Sequence, residues 1–195
     1  MPEHLFVRFG GAGRDTTAKN AMLQRIRAYD WVQSSLGPIE NWPNELKSAV
    51  RLILLSGSAM AVLAGREGIV IQNDAVVSML GERFGLALGQ SVADVLPVAG
   101  DFFRNAIAEC YEGKGVSFRD QPVRLKRNGL LDTAWFSIGL TPIADIDGNI
   151  YGVLVVAGET TERMRAHAAR SAERRVGKEC RSRRSPYIST KKISF

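Results

Sequence analysis

The last third of the sequence most constrains what this chain can fold into. Three segments of apolar and β-branched residues follow one another there, separated by Asn128-Gly129 and by Asp145-Ile146-Asp147-Gly148. Asn-Gly readily adopts the positive backbone angles of a type I′ turn, which joins two neighbouring antiparallel strands in a hairpin. The pattern therefore predicts an antiparallel meander with strands over Val116–Lys126, Leu130–Thr141 and Ile150–Ala157.

The predicted sheet has apolar residues on both faces. Its third strand is apolar at nearly every position, which is typical of a central strand. Because side chains alternate along a strand, Trp135 and Phe136 should lie on opposite faces of the second strand. An exposed apolar face of this size marks an interface. Either the helix predicted over Trp42–Ile53 or a second protomer must therefore cover the outer face.

The residues before the meander predict short helices and one further hairpin. The helices span Met22–Trp31, Trp42–Ile53 from a start near Asn41, Asn73 or Asp74 to Leu80, Ser91–Leu96, and a helix that Asp101 caps and Gly113 ends. The hairpin joins Ala59–Leu63 to Ile69–Gln72. The chain is therefore predicted to be α+β, with a five-stranded sheet that holds helices on one face.

The net charge of +6 is unevenly distributed along the chain. Residues 1–160 hold 15 Lys and Arg against 17 Asp and Glu, whereas residues 161–195 hold 11 against 3. From about Arg174 the sequence is basic and lacks the leucine heptads of a continuing kinase helix. We expect this tail to be disordered read-through into foreign sequence. The alternative is a true basic tail that binds nucleic acid or anionic lipid.

Several classes of function find no support in the sequence. The longest apolar runs are too short to span a bilayer, and the N-terminus has no apolar segment typical of a secretory signal. Cys110 and Cys180 are the only cysteines. A disulfide framework is therefore not predicted, and the cytoplasm is the expected location. The sequence holds no phosphate-loop motif, metal-ligand cluster or catalytic-triad spacing, so we expect a chain without enzymatic activity.

Four segments of the chain carry a family resemblance. They are Asp30-Trp31 with Leu36-Gly37-Pro38-Ile39-Glu40-Asn41-Trp42-Pro43, Ile71-Gln72-Asn73-Asp74-Ala75, Asn128-Gly129 with Thr141-Pro142-Ile143-Ala144-Asp145-Ile146-Asp147-Gly148, and Glu159-Thr160-Thr161-Glu162-Arg163. In this order and spacing they resemble a PAS domain. The resemblance is greatest to the PAS domains near the N-termini of bacterial sensor histidine kinases, and it covers roughly residues 30–165.

The resemblance implies the PAS fold. In that fold the strand order is 2-1-5-4-3, short helices on one face of the sheet enclose a pocket, and an N-terminal helix would cover the other face. Together with the glycine-rich start and the basic end of the chain, it places a flexible N-terminal arm at residues 1–29, a helical flanking segment at 30–57, the PAS core at 58–160, an output helix at 161–175 and a basic tail at 176–195. We expect the pocket to be lined by Asn73, Phe103, Ile107, Phe136 and Ile138.

The junction after the last strand is the expected site of signal transmission. PAS domains pass their signal through the helix that leaves this strand, and Glu159-Thr160-Thr161 occupies that position. Glu159 stands where the family carries Asp, and Thr160 where it carries an apolar residue. Thr161 followed by Glu162 is also an ordinary helix start, with Thr161 as the N-cap. A cap that sets the exit angle of a helix can serve both roles.

The cofactor is left open, but two types are disfavoured. Cys110 lies in Ile-Ala-Glu-Cys-Tyr-Glu, which differs from the helix that carries the reactive cysteine of flavin-binding photosensors, so we expect it to pack in the core. His4 and His167 lie outside the body of the domain, so ligation of haem iron by a core histidine is not expected. His167 is expected to be an exposed helical residue and not a phosphoacceptor.

The resemblance also implies the function. We expect a cytoplasmic sensory input module of a histidine kinase, which binds a small ligand, forms a homodimer, or both. The kinase or other output domain is absent from this sequence, and neither specific nucleic-acid binding nor a membrane span is expected. The alternative is a ligand-free PAS domain that serves only as a dimerisation module.

Overall fold

The computed structural model describes residues 21–127 and 130–182 of the chain. The strands are β1 (Met60–Ala64), β2 (Ile69–Gln72), β3 (Val116–Arg127), β4 (Leu130–Ala144) and β5 (Ile150–Glu159). The helices are α1 (Ala21–Ala28), α2 (Asn44–Leu55), α3 (Asp74–Leu80), α4 (Val92–Val95), α5 (Gly100–Tyr111) and α6 (Thr161–Ser182). The predicted Asn128-Gly129 turn lies outside the described residues.

The five strands form one antiparallel sheet in the order β2-β1-β5-β4-β3. This order and the α+β class confirm the predicted fold. Strand β5, the last in sequence, lies in the middle of the sheet and pairs with β1 on one side and β4 on the other. The β4–β5 turn forms as predicted, with Gly148 at φ 87° and the Asp145 carboxylate accepting hydrogen bonds from the backbone N–H groups of Asp147 and Asn149.

The two faces of the sheet are covered by different helices. In the β1–β2 pair Val62 lies opposite Ile71, and Leu63 lies opposite Val70. The first pair belongs to an outer cluster, which comprises Met22, Ile26, Trp31, Ile39, Trp42, Leu46, Val50, Ile53, Val62, Ala64, Ile69, Ile71, Leu88 and Ile143. The second pair belongs to an interior cluster, which comprises Leu63, Val70, Ala87, Val92, Phe103, Ala106, Ile107, Cys110, Leu140, Val153 and Val155.

Helix α2 covers the outer face, as its apolar periodicity predicts. Leu46, Val50 and Ile53 recur at spacings of three and four, so they share one face of the helix and are buried against the sheet. The helix begins three residues later than the predicted start near Asn41. Pro43 is extended, with φ −55° and ψ 149°, and precedes the first helical residue.

Helix α1 lies close to the helix predicted over Met22–Trp31, and helix α6 is longer than the predicted output helix. Residues 21–28 of the predicted flexible arm form α1, because Met22 and Ile26 lie four residues apart and bury one side of a helical turn in the outer cluster. The Asp74 carboxylate also accepts a hydrogen bond from the Met22 N–H at 3.0 Å. The predicted output helix over 161–175 continues to Ser182, since the Lys, Arg and Glu of this stretch favour helix. Residues 183–195 lie outside the described part of the chain.

Two local details also differ from expectation. Helix α5 begins at Gly100, and Asp101 lies in its first turn without capping it. The Asp101 carboxylate instead pairs with the Arg104 guanidinium on the exposed side of the helix. Strand β3 has a bulge between Phe118 and Gln121, where Asp120 has a positive φ of 52°. The extra residue shifts the apolar alternation by one position, from Val116 and Phe118 before the bulge to Val123 and Leu125 after it.

The described chain divides into two units, one ending at Glu159 and the other beginning at Thr160. Within the second unit, α6 exposes most of its side chains from Glu162 to Ser171. No helix within residues 21–127 and 130–182 combines the length and the apolar character that crossing a bilayer requires.

Gly152 on β5 generates a first prediction. A Cβ at this position would lie 2.7 Å from the Leu63 carbonyl oxygen, which belongs to the backbone of the neighbouring strand. We expect Gly152→Ala to destabilise the domain by about 1–3 kcal/mol, because the two paired strands must move apart. Urea unfolding followed by circular dichroism measures this free energy.

Gly158→Ala is the matched control on the same strand. A Cβ at Gly158 would meet no atom within 4 Å. We expect this change to be neutral or slightly stabilising, since Ala restricts the unfolded chain more than Gly does. Equal losses of stability in the two variants would contradict the proposed crowding at Gly152.

Candidate functional site

The interior cluster fills the space between the sheet and helices α4 and α5. Helix α5 contributes Phe103, Ile107 and Cys110, which recur at spacings of three and four and are all buried. The middle strands contribute Leu140, from β4, and Val153, from β5. The buried members of this cluster are all uncharged. A group bound among them would therefore be held mainly by apolar contacts.

The structure brings four of the five predicted pocket residues together. Phe103 and Ile107 belong to the interior cluster, and Phe136 lies in a neighbouring cluster with Ala134. Ile138 packs against both clusters and joins them. These four side chains therefore follow one continuous apolar region along the inner face of the sheet.

Asn73, the fifth predicted residue, has a different environment. Its Oδ1 accepts hydrogen bonds from the backbone N–H groups of Met60 and Val76, at 3.2 and 3.1 Å. Its Nδ2 donates to the backbone carbonyls of Ile53, Ser56 and Ser58, at 3.0, 3.2 and 2.7 Å. The hydrogen-bonding groups of this amide are engaged by the protein backbone. Asn73 therefore ties the end of α2 to β1 and α3.

Gln72 is the interior polar residue that the sequence interpretation missed. It is fully buried, and by strand alternation it lies on the same face of β2 as Val70 of the interior cluster. Its Nε2 donates a hydrogen bond to the Phe84 carbonyl, whereas its Oε1 has no hydrogen-bond partner among the described residues. A glutamine at an inward position of the apolar strand Ile-Val-Ile-Gln was the signal that could have found it.

The partner of Gln72 lies in a short 3₁₀ helix, Glu82–Leu86. Phe84 packs against the interior cluster through its side chain. The next residue, Gly85, accepts a hydrogen bond through its carbonyl from the Arg25 guanidinium of α1, at 3.0 Å. Adjacent peptide groups of this 3₁₀ helix therefore contact the interior glutamine and the N-terminal helix.

The predicted transmission residues lie at the boundary between the two units. Glu159 ends β5, opposite Phe136 in the β4–β5 register, and its side chain is exposed. Thr161 is the first residue of α6, so the N-cap position belongs to Thr160 and not to Thr161 as predicted. In agreement, the Thr160 carbonyl accepts the hydrogen bond from the Met164 N–H at 3.0 Å, which is the first backbone bond of the helix.

Comparison with known sequences identifies the family. A sequence model of the family described as PAS fold matches residues 56–165, which is more than half of the 195-residue chain. The chain belongs to the PAS fold family. The match confirms the resemblance to PAS domains, and three of the four sequence segments lie within the matched residues. No curated protein matches the chain in sequence.

Solved structures give matches of low sequence identity. The PAS domain of BvgS from Bordetella pertussis is 18% identical, with a TM-score of 0.48 over 69% of this chain and 99% of that chain. A PAS domain from Colwellia psychrerythraea is 17% identical, with a TM-score of 0.45 over 60% and 98%. The phage VqmA–DPO complex is 14% identical, with a TM-score of 0.49 over 66% and 58%. The match to phage VqmA thus spans 58% of that protein's chain.

Cys110 of this PAS domain is a core residue, as predicted. It is fully buried in the interior cluster. Burial, and secondarily the negative charge of Glu109, raises the pKa of the Cys110 thiol above its ordinary value. The fraction of reactive thiolate at neutral pH is therefore lower than for an exposed cysteine. His167, in contrast, is exposed on α6, and His4 lies outside the described residues.

The raised pKa predicts slow labelling of Cys110. In a Cys180→Ser background, we expect iodoacetamide to modify the folded domain at least about tenfold more slowly than the urea-unfolded chain at pH 7.5. The rate should rise with pH and level off only above the usual pKa range of cysteine, because the thiolate fraction keeps increasing until the pH passes the raised pKa. Mass spectrometry of timed samples measures the rate. Equal rates in the folded and unfolded chains would contradict the burial.

The hydrogen bonds of Asn73 predict a large loss of stability on substitution. We expect Asn73→Ala to lower the free energy of unfolding by about 2–4 kcal/mol, because buried backbone groups of three elements lose their partner. Ser91→Ala is the control, since Ser91 also caps a helix and accepts from the Ala93 N–H at 3.2 Å. It should cost about 1 kcal/mol. Similar losses in both variants would show that Asn73 acts only as a cap.

Proposed function

We propose that this PAS domain is the cytoplasmic input module of a two-component sensor histidine kinase, and that it responds to a small ligand in its interior. The observation that carries this proposal is the position of β5. This strand supplies Val153 and Val155 to the interior cluster and is the central strand of the sheet. It also continues into α6 through the single residue Thr160. A displacement of β5 by a bound ligand is therefore transmitted to the first residue of α6 through one intervening residue, Thr160.

The chain itself is proposed to carry no catalytic activity. Within residues 21–127 and 130–182, no group of three or more His, Cys, Asp or Glu side chains is arranged to hold a metal ion. The interior cluster has a buried thiol of raised pKa and otherwise apolar side chains, which favours binding over chemistry. Phosphotransfer is assigned to an output domain that follows α6 in the parent protein.

The assignment to a histidine kinase is supported by the segment before the PAS core. This segment resembles the leader of PAS domains in that class of protein. Its two tryptophans are buried in the outer cluster, where the rings of Trp31 and Trp42 meet edge to face at 4.8 Å. Their indole N–H groups donate to the backbone carbonyls of Ile26 and Gly37. The leader is therefore part of the folded structure.

Sequencing the native gene beyond codon 174 tests the kinase assignment directly. We expect a leucine-rich coiled coil followed by a phosphoacceptor histidine. An open reading frame that leads instead into a DNA-binding or transporter domain would overturn the kinase assignment. It would leave the proposed sensory role intact.

Native mass spectrometry and absorbance of the purified chain test ligand binding. A flavin, a haem or another small molecule that co-purifies with the protein in stoichiometric amount would support the sensory role. A ligand-free protein that forms dimers as its concentration rises would favour the alternative function, a dimerisation module.

The alternative has one specific observation in its favour. Leu52 and Leu55 on α2 are 51% and 59% exposed, although α2 buries its opposite face in the outer cluster. Two large exposed apolar side chains one turn apart are typical of a contact surface.

We propose that the domain forms a homodimer through this surface. Light scattering of Leu52→Ser/Leu55→Ser should then show a monomer, whereas Val98→Ser, which removes an isolated exposed valine, should leave the dimer unchanged.

Glu159→Ala tests the transmission role of the junction. We expect the sheet to remain folded, with unchanged hydrogen exchange in β1 to β5, while the Met164 amide at the start of α6 exchanges several-fold faster. The reason is that a carboxylate near the N-terminus of a helix stabilises its first turn. Hydrogen exchange followed by mass spectrometry measures both regions.

Glu162→Ala serves as the comparison for this experiment. Glu162 lies in the first turn of α6, so its removal reports the general effect of negative charge on the helix start. A larger effect of Glu159→Ala than of Glu162→Ala supports a role specific to the junction. Global unfolding of Glu159→Ala would instead identify Glu159 as a structural brace of the sheet.

A further inference from the structure

The side chain of Gln72 is held in one orientation. Its Nε2 donates to the Phe84 carbonyl, and exchanging the two amide atoms would place Oε1 against that carbonyl oxygen. The hydrogen-bond network therefore determines which atom is the oxygen. The remaining atom, Oε1, is a pure acceptor that has no partner among the described residues, although the side chain is fully buried.

A buried acceptor without a partner is uncommon in folded proteins. Buried polar side chains are nearly always paired, because an unpaired carbonyl oxygen loses its hydrogen bonds to water and gains nothing in return. Asn73, the next residue, follows this rule with every polar group engaged. The unpaired oxygen of Gln72 is thus an exception within a region whose other buried amide is fully paired.

The surroundings of Gln72 limit what can pair with it. The residue opposite it in the β1–β2 register is Ala61, and the next inward residue of β2 is Val70. Both pack in or against the interior cluster, as does the Phe84 side chain. No Asp, Glu, Lys or Arg side chain is buried among the described residues. A charged partner would therefore lose its hydration without gaining a counter-ion.

We propose that Gln72 Oε1 is the recognition point for a small, uncharged ligand that carries an N–H or O–H donor on an apolar ring. The ring lies against the interior cluster and the donor pairs with Oε1. This inference rests on the proposed function, since it names the chemistry of the ligand that the interior binds. A ligand that presents only acceptors at this point is excluded, because two oxygen lone pairs would face each other.

Two matched pairs of ring compounds test the proposal on the full chain. Indole and benzofuran have the same shape and differ in an N–H donor, and phenol and fluorobenzene differ in an O–H donor. Saturation-transfer NMR titrations give the dissociation constants. We expect the donor compound of at least one pair to bind the wild-type chain about tenfold more tightly than its partner, the ratio for one hydrogen bond to a buried group.

The Gln72→Met variant should abolish this preference. Methionine has the same chain length without the amide, so the two compounds of a pair should bind within about twofold of each other. Gln90→Met is the control, because Gln90 is exposed and also donates to a backbone carbonyl of the 3₁₀ helix Glu82–Leu86, that of Leu86, at 2.7 Å. The control should keep the tenfold preference.

A second measurement needs no variant. The side-chain carbonyl ¹³C resonance of Gln72 should shift on addition of the donor compound and not on addition of its partner. This measurement tests the contact between Gln72 and the donor group even if Gln72→Met fails to fold.

The possible results separate the inference from the proposed function. Equal binding of both members of each pair, or a preference that persists in Gln72→Met, overturns the role of Gln72 and leaves an apolar ligand site in place. Failure of all four compounds to bind the wild-type chain overturns the inference and also removes support for ligand sensing. A donor preference that is lost only in Gln72→Met establishes the inference.

Discussion

The buried amide of Asn73 is the interaction on which the arrangement of this PAS domain depends. It accepts the backbone N–H groups that begin β1 and α3, and it donates to carbonyls at the end of α2 and in the connection to β1. The end of α2, the start of β1 and the first turn of α3 thus meet at one side chain. A short polar group with two donors and two acceptors is needed at this point, because three elements end or begin there and leave backbone groups unpaired.

The position of Asn73 also explains the position of Gln72. Strand β2 ends at Gln72, and the brace at the following residue holds this end of the strand close to α3 and α2. Gln72 is consequently held inside the domain, where it contacts the Phe84 carbonyl of the following 3₁₀ helix. That helix also receives the Arg25 hydrogen bond from α1. Gln72 and Asn73 are therefore neighbours in sequence with different contacts. Asn73 bonds backbone groups of α2, β1 and α3, whereas Gln72 lies beside the interior cluster.

Much of the architecture could be predicted because it follows from local patterns. The turn residues Asp145 to Gly148, the alternation through Phe136, Ile138 and Leu140, and the spacing of Leu46, Val50 and Ile53 each specify one element through short-range geometry. The same holds for four of the proposed pocket residues, since an inward position follows from strand or helix periodicity. The sequence left the cap of α3 open between Asn73 and Asp74, and the structure places it at Asn73, whose further hydrogen bonds join residues 13 to 20 positions apart. No local pattern contains such contacts.

The sequence by itself determined the class, the strand boundaries within a few residues, and the apolar faces of α2 and α5, because these depend on residues that are neighbours along the chain. Only the tertiary structure decided that α1 packs in the outer cluster, that Asp101 pairs with Arg104 and does not cap α5, and that Gln72 keeps one unpaired oxygen. These outcomes depend on which distant groups compete for the same space or the same hydrogen bond. For Gln72 the decisive fact is that the Phe84 carbonyl, 12 residues away, engages the amide nitrogen and leaves the oxygen without a partner among the described residues.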